Sequence, residues 1–264
     1  MSSAALITGA SSGIGEAIAA ELAARGHGVV LAARREERLR ELAEKLAGEH
    51  GIRAEAVRAD ISDAPGRDAL ETAVGELGLE VDVLVNNAGY GDADDFVDAP
   101  RDRLVGMVEL NCVALTDLQA RYVGPMVERG RGAVINIASA AAFQPLPGNA
   151  VYAATKAFVL SLSEATHSEL EGTGVTMTAV CPGPVRTEFV EEAGFGNAEE
   201  RTPGAVWMDA PDVARIALDG AEKGKRVVVP GLLTRASTLS GQHTPRALLL
   251  PLVRRVIRRS APRH

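Results

Sequence analysis

The stretch AALITGASSGIG, residues 4–15, joins an apolar run to the start of a helical pattern through a turn that contains Gly9, Gly13 and Gly15. Glycine allows a tight turn and lets backbone N–H groups come close to a ligand. The helix that follows presents the positive end of its dipole to an anion. The stretch therefore predicts a strand–turn–helix unit that binds a diphosphate, although a glycine-rich turn without a ligand can have the same G-x-x-x-G-x-G spacing.

Apolar runs and helical segments alternate in the same way along the rest of the chain. Most of the runs are continuously apolar, as is typical of strands that are buried on both faces of a sheet. The alternation predicts an α/β fold with a Rossmann-like doubly wound parallel sheet, three α/β/α layers and a single domain over residues 1–232. The predicted strands are 4–8, 28–33, 53–59, 81–87, 132–139, 174–182 and 226–230, and the predicted helices lie near 14–25, 35–49, 63–77, 101–129, 150–171 and 210–222.

Length and composition agree with one large core. The 264 residues are 46% hydrophobic and carry a net charge of −7. No window approaches the ~18 uncharged apolar residues of a membrane-spanning helix, and the N-terminus lacks the basic and apolar regions of a signal peptide, so neither is expected. Cys112 and Cys181 are far apart and form no C-x-x-C motif, which favours two reduced thiols in a cytoplasmic protein.

Two arginines, Arg34 and Arg35, follow the second predicted strand. An acidic residue at this point would bind the adenosine ribose hydroxyls of NAD(H). Cations at a helix N-terminus oppose the helix dipole by ~0.3–1 kcal/mol, a cost that a bound 2′-phosphate would offset. The pair therefore favours NADP(H) over NAD(H), the alternative being two solvated arginines that open a helix.

Polar residues also follow the third and fourth predicted strands, at the carboxyl edge where open α/β sheets bind ligands. Asp60 is placed to contact an adenine ring, and Asn86 and Asn87 begin the stretch NNAG. For the two asparagines, a turn that only caps the strand is the alternative.

A second polar group gathers around the fifth predicted strand. Ser139 ends that strand, and Tyr152 and Lys156 lie one turn apart on the next helix. A tyrosine titrates near ~10, so proton transfer near neutral pH needs its pKa to fall by ~2–3 units, and a nearby ammonium favours such a fall. Asn111 is a poor helix former within a predicted helix, which indicates either a water-mediated proton relay or a buried side chain bonded to the backbone.

These motifs, in this order and at these spacings, resemble the short-chain dehydrogenase/reductase family over residues 4 to about 230. The resemblance implies that Tyr152 is the catalytic acid/base and that Lys156 binds the nicotinamide ribose and lowers the tyrosine pKa. It also implies that Ser139 orients the substrate, that Asn111 supports the proton relay, that the protein is a homo-dimer or homo-tetramer, and that catalysis uses no metal. The matching motifs are TGASSGIG, NNAG, Asn111, Ser139, YAATK (152–156) and PGPVRT (182–187).

The same resemblance gives a cofactor-binding set, in which Val185 and Thr187 contact the nicotinamide carboxamide. We therefore expect an NADP(H)-dependent carbonyl reductase or, in reverse, an alcohol dehydrogenase, and the alternative is a regulatory protein that senses NADP(H) without turnover. The expected cofactor-binding residues are Gly9, Ser11, Ser12, Gly13, Ile14, Gly15, Arg34, Arg35, Asp60, Ile61, Asn87, Ala88, Gly89, Tyr152, Lys156, Pro182, Gly183, Val185 and Thr187.

The stretch 188–208 follows the last of these motifs, and in the family this region closes over the substrate. Its large apolar residues either line a pocket or pack as a lid on the protein itself. The acidic stretch GDADD, residues 91–95, is predicted to be a solvated loop. The candidate pocket residues are Phe189, Phe195, Trp207 and Met208.

The C-terminal extension, residues 233–264, is basic and amphipathic. Residues 223–264 hold ten Lys/Arg and no Asp/Glu, which leaves a net charge of −17 on residues 1–222 and argues against nucleic-acid binding. Three roles stay open: docking on the acidic body or a second subunit, peripheral contact with an anionic membrane, which would suit a lipophilic carbonyl substrate, and a frayed terminus. The predicted apolar helix face consists of Leu249, Leu252, Val253, Val256 and Ile257.

Overall fold

The computed structural model describes residues 2–194, 204–251 and 253 of the chain. Strands and helices alternate from the N-terminus onward, as the sequence predicts. The strands are β1 (Ser2–Thr8), β2 (Gly28–Ala33), β3 (Ala54–Arg58), β4 (Leu79–Asn86), β5 (Gly132–Ile137), β6 (Val175–Val180), β7 (Val185–Arg186), β8 (Met208–Asp209) and β9 (Val227–Val228). The helices are α1 (Gly13–Ala24), α2 (Glu36–His50), α3 (Ala64–Glu76), α4 (Arg101–Val108), α5 (Leu115–Glu128), α6 (Ala150–Glu169), α7 (Glu188–Glu192), α8 (Ala210–Glu222) and α9 (Leu232–His243).

Seven of the strands form one parallel sheet in the order β3-β2-β1-β4-β5-β6-β9. The chain runs outward from β1 to β3 and then crosses back to β4 on the other side of β1. The carboxyl ends of β1 and β4 therefore flank the point where the strand order reverses, which is where such sheets bind ligands. The predicted Rossmann-like doubly wound fold is confirmed.

Helices cover both faces of this sheet. Successive residues of a strand point to opposite faces, and Leu6 and Ile7 of β1 accordingly belong to two different core clusters. Ile7 packs with α1, α2 and α8, and Leu6 packs with α3 and α5. Both side chains are fully buried, and each such burial stabilises the fold by ~1.5–3 kcal/mol. This gives the three α/β/α layers that the sequence predicts.

The long helix predicted at 101–129 is continuous but not uniform. Between α4 and α5 the segment Glu109–Ala114 is π-helical, and this segment contains Asn111. A π turn inserts one residue into a helix and often occurs at functional sites. Hydrophobic periodicity over so short a segment gives no sign of it.

The sequence analysis did not predict helix α9, because its buried face carries threonines and its exposed face carries leucines. Thr234 and Thr238 are buried at 3% and 6% exposure, while Leu232 and Leu239 are 86% and 53% exposed. The helix begins where the expected domain boundary falls and packs on the main body, since a Cβ on Gly183 would lie 2.6 Å from the Thr234 hydroxyl.

The predicted apolar face of the tail is only partly within the described residues. Leu249 is buried, and Leu252, Val256 and Ile257 lie outside the described residues. Within the described part of the chain, no helix is both long and apolar enough to cross a membrane.

Candidate active site

The glycine-rich turn between β1 and α1 is held tightly against the end of β4. Gly9 and Gly13 have φ angles of 65° and 60°, a conformation that other residues rarely adopt. A Cβ on Gly15 would lie 2.4 Å from both the Gly9 carbonyl oxygen and Asn87 Nδ2, so α1 can approach this closely only with glycine there. Thr8 Oγ1 accepts hydrogen bonds from the Asn87 and Ala88 N–H groups, each at 3.1 Å.

A cleft of about 760 Å³ opens above this turn at the carboxyl edge of the sheet. Its volume is within the usual range for a ligand site. All of the expected cofactor-binding residues line it except Gly15, which instead sets the close packing of α1. The lining members of that set are Gly9, Ser11, Ser12, Gly13, Ile14, Arg34, Arg35, Asp60, Ile61, Asn87, Ala88, Gly89, Tyr152, Lys156, Pro182, Gly183, Val185 and Thr187.

The residues around the glycine-rich turn fit a dinucleotide diphosphate. Ser12 is the N-cap residue of α1, yet its side chain makes no cap hydrogen bond, so Ser12 does not occupy the N–H groups of the first helical turn that could bind an anion. The backbone of Gly13 passes close to the Thr187 side chain, because a Cβ there would lie 3.1 Å from Thr187 Cβ. A ligand's phosphates could therefore come close to the backbone of this turn, as dinucleotide binding requires.

Three charged residues define the end of the cleft near β2 and β3. Arg34 is exposed and lines the cleft. Burial raises the pKa of the Asp60 carboxyl, but hydrogen bonds from Ser62 and the charge of Arg34 outweigh burial and hold this pKa below its usual value. Arg35 reaches across the glycine-rich turn, where its Nε donates to Ser11 Oγ at 3.1 Å and its Nη2 donates to Ser12 Oγ at 2.6 Å.

A residue that the sequence analysis did not select, Glu188, completes this group. Its carboxylate accepts from Arg35 Nη1 and from Arg38 Nη1, each at 2.7 Å. Hydrogen bonds from Arg35 and Arg38 hold the pKa of Glu188 at about 2. The only sequence signal for this contact is the position of Glu188 directly after PGPVRT, which does not indicate a partner about 150 residues away.

The structure brings Ser139, Tyr152 and Lys156 together on the wall of the cleft. Ser139 caps the short 3₁₀ segment Ala140–Phe143, where its Oγ accepts from the Ala141 N–H at 3.1 Å. Tyr152 lies in the first turn of α6 and Lys156 lies one turn later. Lys156 Nζ donates to the Ile137 carbonyl at 2.7 Å and is 5.9 Å from the centre of the Tyr152 ring.

Burial dominates the electrostatics of this trio. It raises the pKa of the Tyr152 phenol above its ordinary value, and the hydrogen bond with the Ser139 side chain opposes only part of that rise. It also lowers the pKa of Lys156 to about 8. The expected fall of the tyrosine pKa is therefore not produced by the described protein groups, because the loss of water outweighs the hydrogen bond with Ser139.

Asn111 lies just behind the cleft wall, and its expected role in a proton relay stays a prediction. Its Oδ1 accepts from the Tyr90 N–H at 3.1 Å, and its Nδ2 donates to the Tyr90 carbonyl at 3.0 Å and to Thr155 Oγ1 at 3.1 Å. The side chain is 2% exposed. This is the alternative of a buried amide bonded to the backbone, and it ties the loop after β4 to α6 beside Lys156.

Large apolar side chains form the rest of the cleft wall. Phe189 packs on Tyr152 with ring centres 5.8 Å apart, and Trp207 is buried at 7% exposure. The Trp207 indole N–H is buried and has no hydrogen-bond partner among the described residues. Met208 lies in β8 and does not line the cleft, and Phe195 lies outside the described residues.

The acidic stretch 91–95 differs in part from its predicted solvated loop. Asp94 and Asp95 are exposed, but Asp92 is 6% exposed and accepts from Arg103 Nε at 2.9 Å. Arg103 also donates to the Gly91 and Glu192 carbonyls, each at 3.0 Å. The aspartate is buried because this arginine holds the loop after β4 against the end of α7. The contact between Arg103 and Glu192 joins residues that are 89 apart in sequence, so no local pattern predicts it.

Fold and site together define a dinucleotide-binding oxidoreductase with a Ser–Tyr–Lys set. Residues 3–196 match the family model described as short chain dehydrogenase. The chain belongs to the short-chain dehydrogenase/reductase family, and the resemblance found in the sequence is confirmed.

Known proteins similar to this chain agree with that assignment. An uncharacterized oxidoreductase from Staphylococcus epidermidis is 34% identical over 74% of this chain and 84% of the relative. A solved short-chain dehydrogenase from Sphingobium yanoikuyae in complex with NADPH is 36% identical, with a TM-score of 0.81 over 94% of this chain and 95% of that chain. The bulky-bulky ketone specific alcohol dehydrogenase from Comamonas testosteroni is 31% identical, with a TM-score of 0.76 over 99% of this chain and 95% of that chain.

The depressed pKa of Lys156 predicts a pH dependence of stability. Between about pH 8 and pH 10.5 the unfolded chain binds a proton at Lys156 that the folded protein has lost, so the unfolding free energy rises with pH in that window. The contribution is at most ~3 kcal/mol. We expect the stability of the wild type relative to Lys156→Met to rise between pH 8 and 10, as measured by urea denaturation.

The exposed Lys45 on α2 gives a matched control for this measurement. Wild type and Lys45→Met should have parallel stability curves over the same pH range. Parallel curves for wild type and Lys156→Met would show that Lys156 is not desolvated.

Proposed function

We propose that the protein is an NADP(H)-dependent carbonyl reductase, or an alcohol dehydrogenase in the reverse direction. The observation that carries the proposal is the meeting of Ser139, Tyr152 and Lys156 on one wall of a cleft whose floor is the glycine-rich turn. A nicotinamide dinucleotide bound in this cleft would supply or accept the hydride. Membership in the family supports oxidoreductase chemistry on C=O and CH–OH groups.

The proposed proton transfer follows from the burial of the trio. In reduction, the Tyr152 hydroxyl donates its proton to the carbonyl oxygen, and its raised pKa keeps that proton in place beforehand. The Ser139 hydroxyl, which forms a hydrogen bond with the Tyr152 side chain, would donate to the same carbonyl oxygen when the substrate is bound. With a pKa of about 8, Lys156 stays mostly protonated at pH 7 and stabilises the phenolate as it forms. Asn111 acts as a positioning residue for the loop after β4.

The preference for NADP(H) rests on the end of the cleft near β2. Arg34 and Arg35 line it. They stand where a carboxylate would bind the ribose hydroxyls of NAD(H). The NADPH complex of the Sphingobium yanoikuyae relative supports the same choice.

The proposed substrate is a lipophilic carbonyl compound or alcohol. Phe189 and Trp207 line the cleft around Tyr152, together with Leu146 and Val190. Such a wall favours apolar groups on either side of the reacting carbon. The bulky ketone specificity named for the Comamonas testosteroni relative supports this substrate class.

We propose a cytoplasmic homo-dimer or homo-tetramer, without a nucleic-acid partner. The free, buried thiols of Cys112 and Cys181 support a reducing compartment.

The proposed acid/base role predicts the behaviour of Tyr152→Phe. Without the phenolic proton, turnover of a panel of bulky ketones with NADPH should fall by at least ~10²-fold, while NADPH binding measured by calorimetry should change by less than ~3-fold. Tyr122→Phe is the matched control, because that hydroxyl is buried away from the cleft, and it should keep wild-type turnover. Tight NADPH binding by the wild type without turnover of any ketone would favour the sensor alternative.

The proposed 2′-phosphate site predicts the behaviour of Arg34→Ala. Loss of a charge-assisted hydrogen bond should weaken NADPH roughly 10- to 100-fold and NADH by less than ~3-fold, in calorimetric titrations. The exposed Arg40, which pairs with Glu36 away from the cleft, supplies the control Arg40→Ala, which should leave both affinities unchanged. Equal losses for the two cofactors would refute the NADP(H) assignment.

We also propose peripheral contact with an anionic membrane through the C-terminal extension. Leu232 and Leu239 lie seven residues apart on the outer face of α9, exposed at 86% and 53%. The exposed Arg235 lies between them. Apolar and cationic side chains on one face of a helix are typical of helices that lie on anionic membranes.

The membrane proposal is tested by sedimentation with vesicles containing phosphatidylserine at low salt. The double variant Leu232→Ser/Leu239→Ser should lose most of the sedimented fraction, because it removes apolar burial at ~0.8 kcal/mol per CH₂. The control is Val97→Ser, which changes a side chain that is 87% exposed in the loop between β4 and α4. This variant should sediment like the wild type. The proposal fails if anionic vesicles do not sediment the wild type.

A further inference from the structure

The carboxylate of Glu188 lies between two arginines at the cofactor end of the cleft. Its Oε2 accepts from Arg35 Nη1 and its Oε1 accepts from Arg38 Nη1, each at 2.7 Å. Glu188 is the first residue of α7, whereas the two arginines come from the start of α2. This double ion pair therefore joins the start of α7 to the start of α2, and we call it the Glu188 latch.

Four of the five N–H donors of Arg35 are engaged by this arrangement. Nε and Nη2 donate to Ser11 and Ser12 of the glycine-rich turn, which leaves Nη1 for Glu188. A 2′-phosphate bound by Arg34 and Arg35 would bring nearly two negative charges to the same guanidinium group. The phosphate and the carboxylate would then compete for Nη1 and repel each other.

Helix α7 connects the latch to the reacting end of the cleft. Next to Glu188, Phe189 packs on the Tyr152 ring with ring centres 5.8 Å apart. At the other end of the helix, Arg103 Nη2 donates to the Glu192 carbonyl at 3.0 Å. The latch thus holds one end of a segment that covers Tyr152, and Arg103 holds the other end.

We propose that Glu188 is a cofactor-specificity residue whose carboxylate occupies the Arg35 guanidinium group that a 2′-phosphate needs and withdraws from it when that phosphate binds. A ligand without a 2′-phosphate leaves the latch in place. This inference rests on the proposed NADP(H) preference and adds to it an internal competitor for the same arginines.

The strength of the latch suits a competitor that can be displaced. The side chains of Arg35, Arg38 and Glu188 are 39%, 50% and 42% exposed, and exposed ion pairs contribute only ~0.2–1 kcal/mol each. Because the two arginines hold the pKa of Glu188 at about 2, the carboxylate stays charged throughout the physiological pH range. The charge of the competing carboxylate therefore does not change with pH in this range.

The test compares two ligands that differ only in the 2′-phosphate, adenosine 2′,5′-bisphosphate and adenosine 5′-monophosphate. Calorimetric titrations would use the full-length wild type and Glu188→Gln. Removing the competing charge should raise the affinity for the bisphosphate roughly 3- to 10-fold, and that for the monophosphate by less than ~2-fold. Glu191→Gln makes the same chemical change at an exposed position of α7 and should alter neither affinity.

The proposal is overturned if Glu188→Gln leaves the ratio of the two affinities unchanged. It is also overturned if Glu188→Gln lowers the affinity for both ligands. The latch would then stabilise the binding of any adenosine ligand, with or without a 2′-phosphate. The ratio measured for the wild type tests the NADP(H) preference separately, since it does not depend on Glu188→Gln. A wild-type ratio near one would refute the preference, while a rise of that ratio in the variant would still support the competition.

Discussion

The close approach of the first turn to the end of β4 is the constraint on which the site depends. Thr8 Oγ1 accepts from two N–H groups after β4, and Asn87 Nδ2 donates to the Thr8 and Gly9 carbonyls at 3.0 and 3.1 Å. These bonds satisfy backbone groups that would otherwise be left unpaired where the strand order reverses. The sheet can therefore open into a cleft at this point without losing the connection between its two halves.

Burial and charge act in opposite directions along the cleft, and different effects win at its two ends. Around Tyr152 and Lys156, the loss of water outweighs charge, so the phenol is kept protonated and the pKa of the ammonium falls to about 8. Around Glu188, where the side chains are partly exposed, paired charges outweigh burial and lower the pKa of the carboxyl. The proton of the Tyr152 phenol is thus protected by burial, while the Glu188 carboxylate is kept charged by its two arginines.

The sequence predicted the main strands and the helices on both faces, and every expected cofactor-binding residue except Gly15 lines the cleft. These predictions succeed because buried parallel strands are continuously apolar and ligand sites lie where such strands end. It did not predict α9, whose threonines face inward, or the π turn around Asn111, because neither follows the usual helical periodicity. The pairings of Glu188 and Asp92 were missed because ion pairs between distant segments leave no local pattern, and the pKa of Tyr152 depends on burial that spacing does not reveal.

The position of Trp207 has a consequence for optical work on this protein. It is the only tryptophan of the chain, and it lies in the wall of the cleft with its indole N–H unpaired among the described residues. Intrinsic tryptophan fluorescence therefore comes from one known place in the wall of the proposed cofactor and substrate cleft. Quenching or a spectral shift would report events in that cleft without a label and without background emission from other tryptophans.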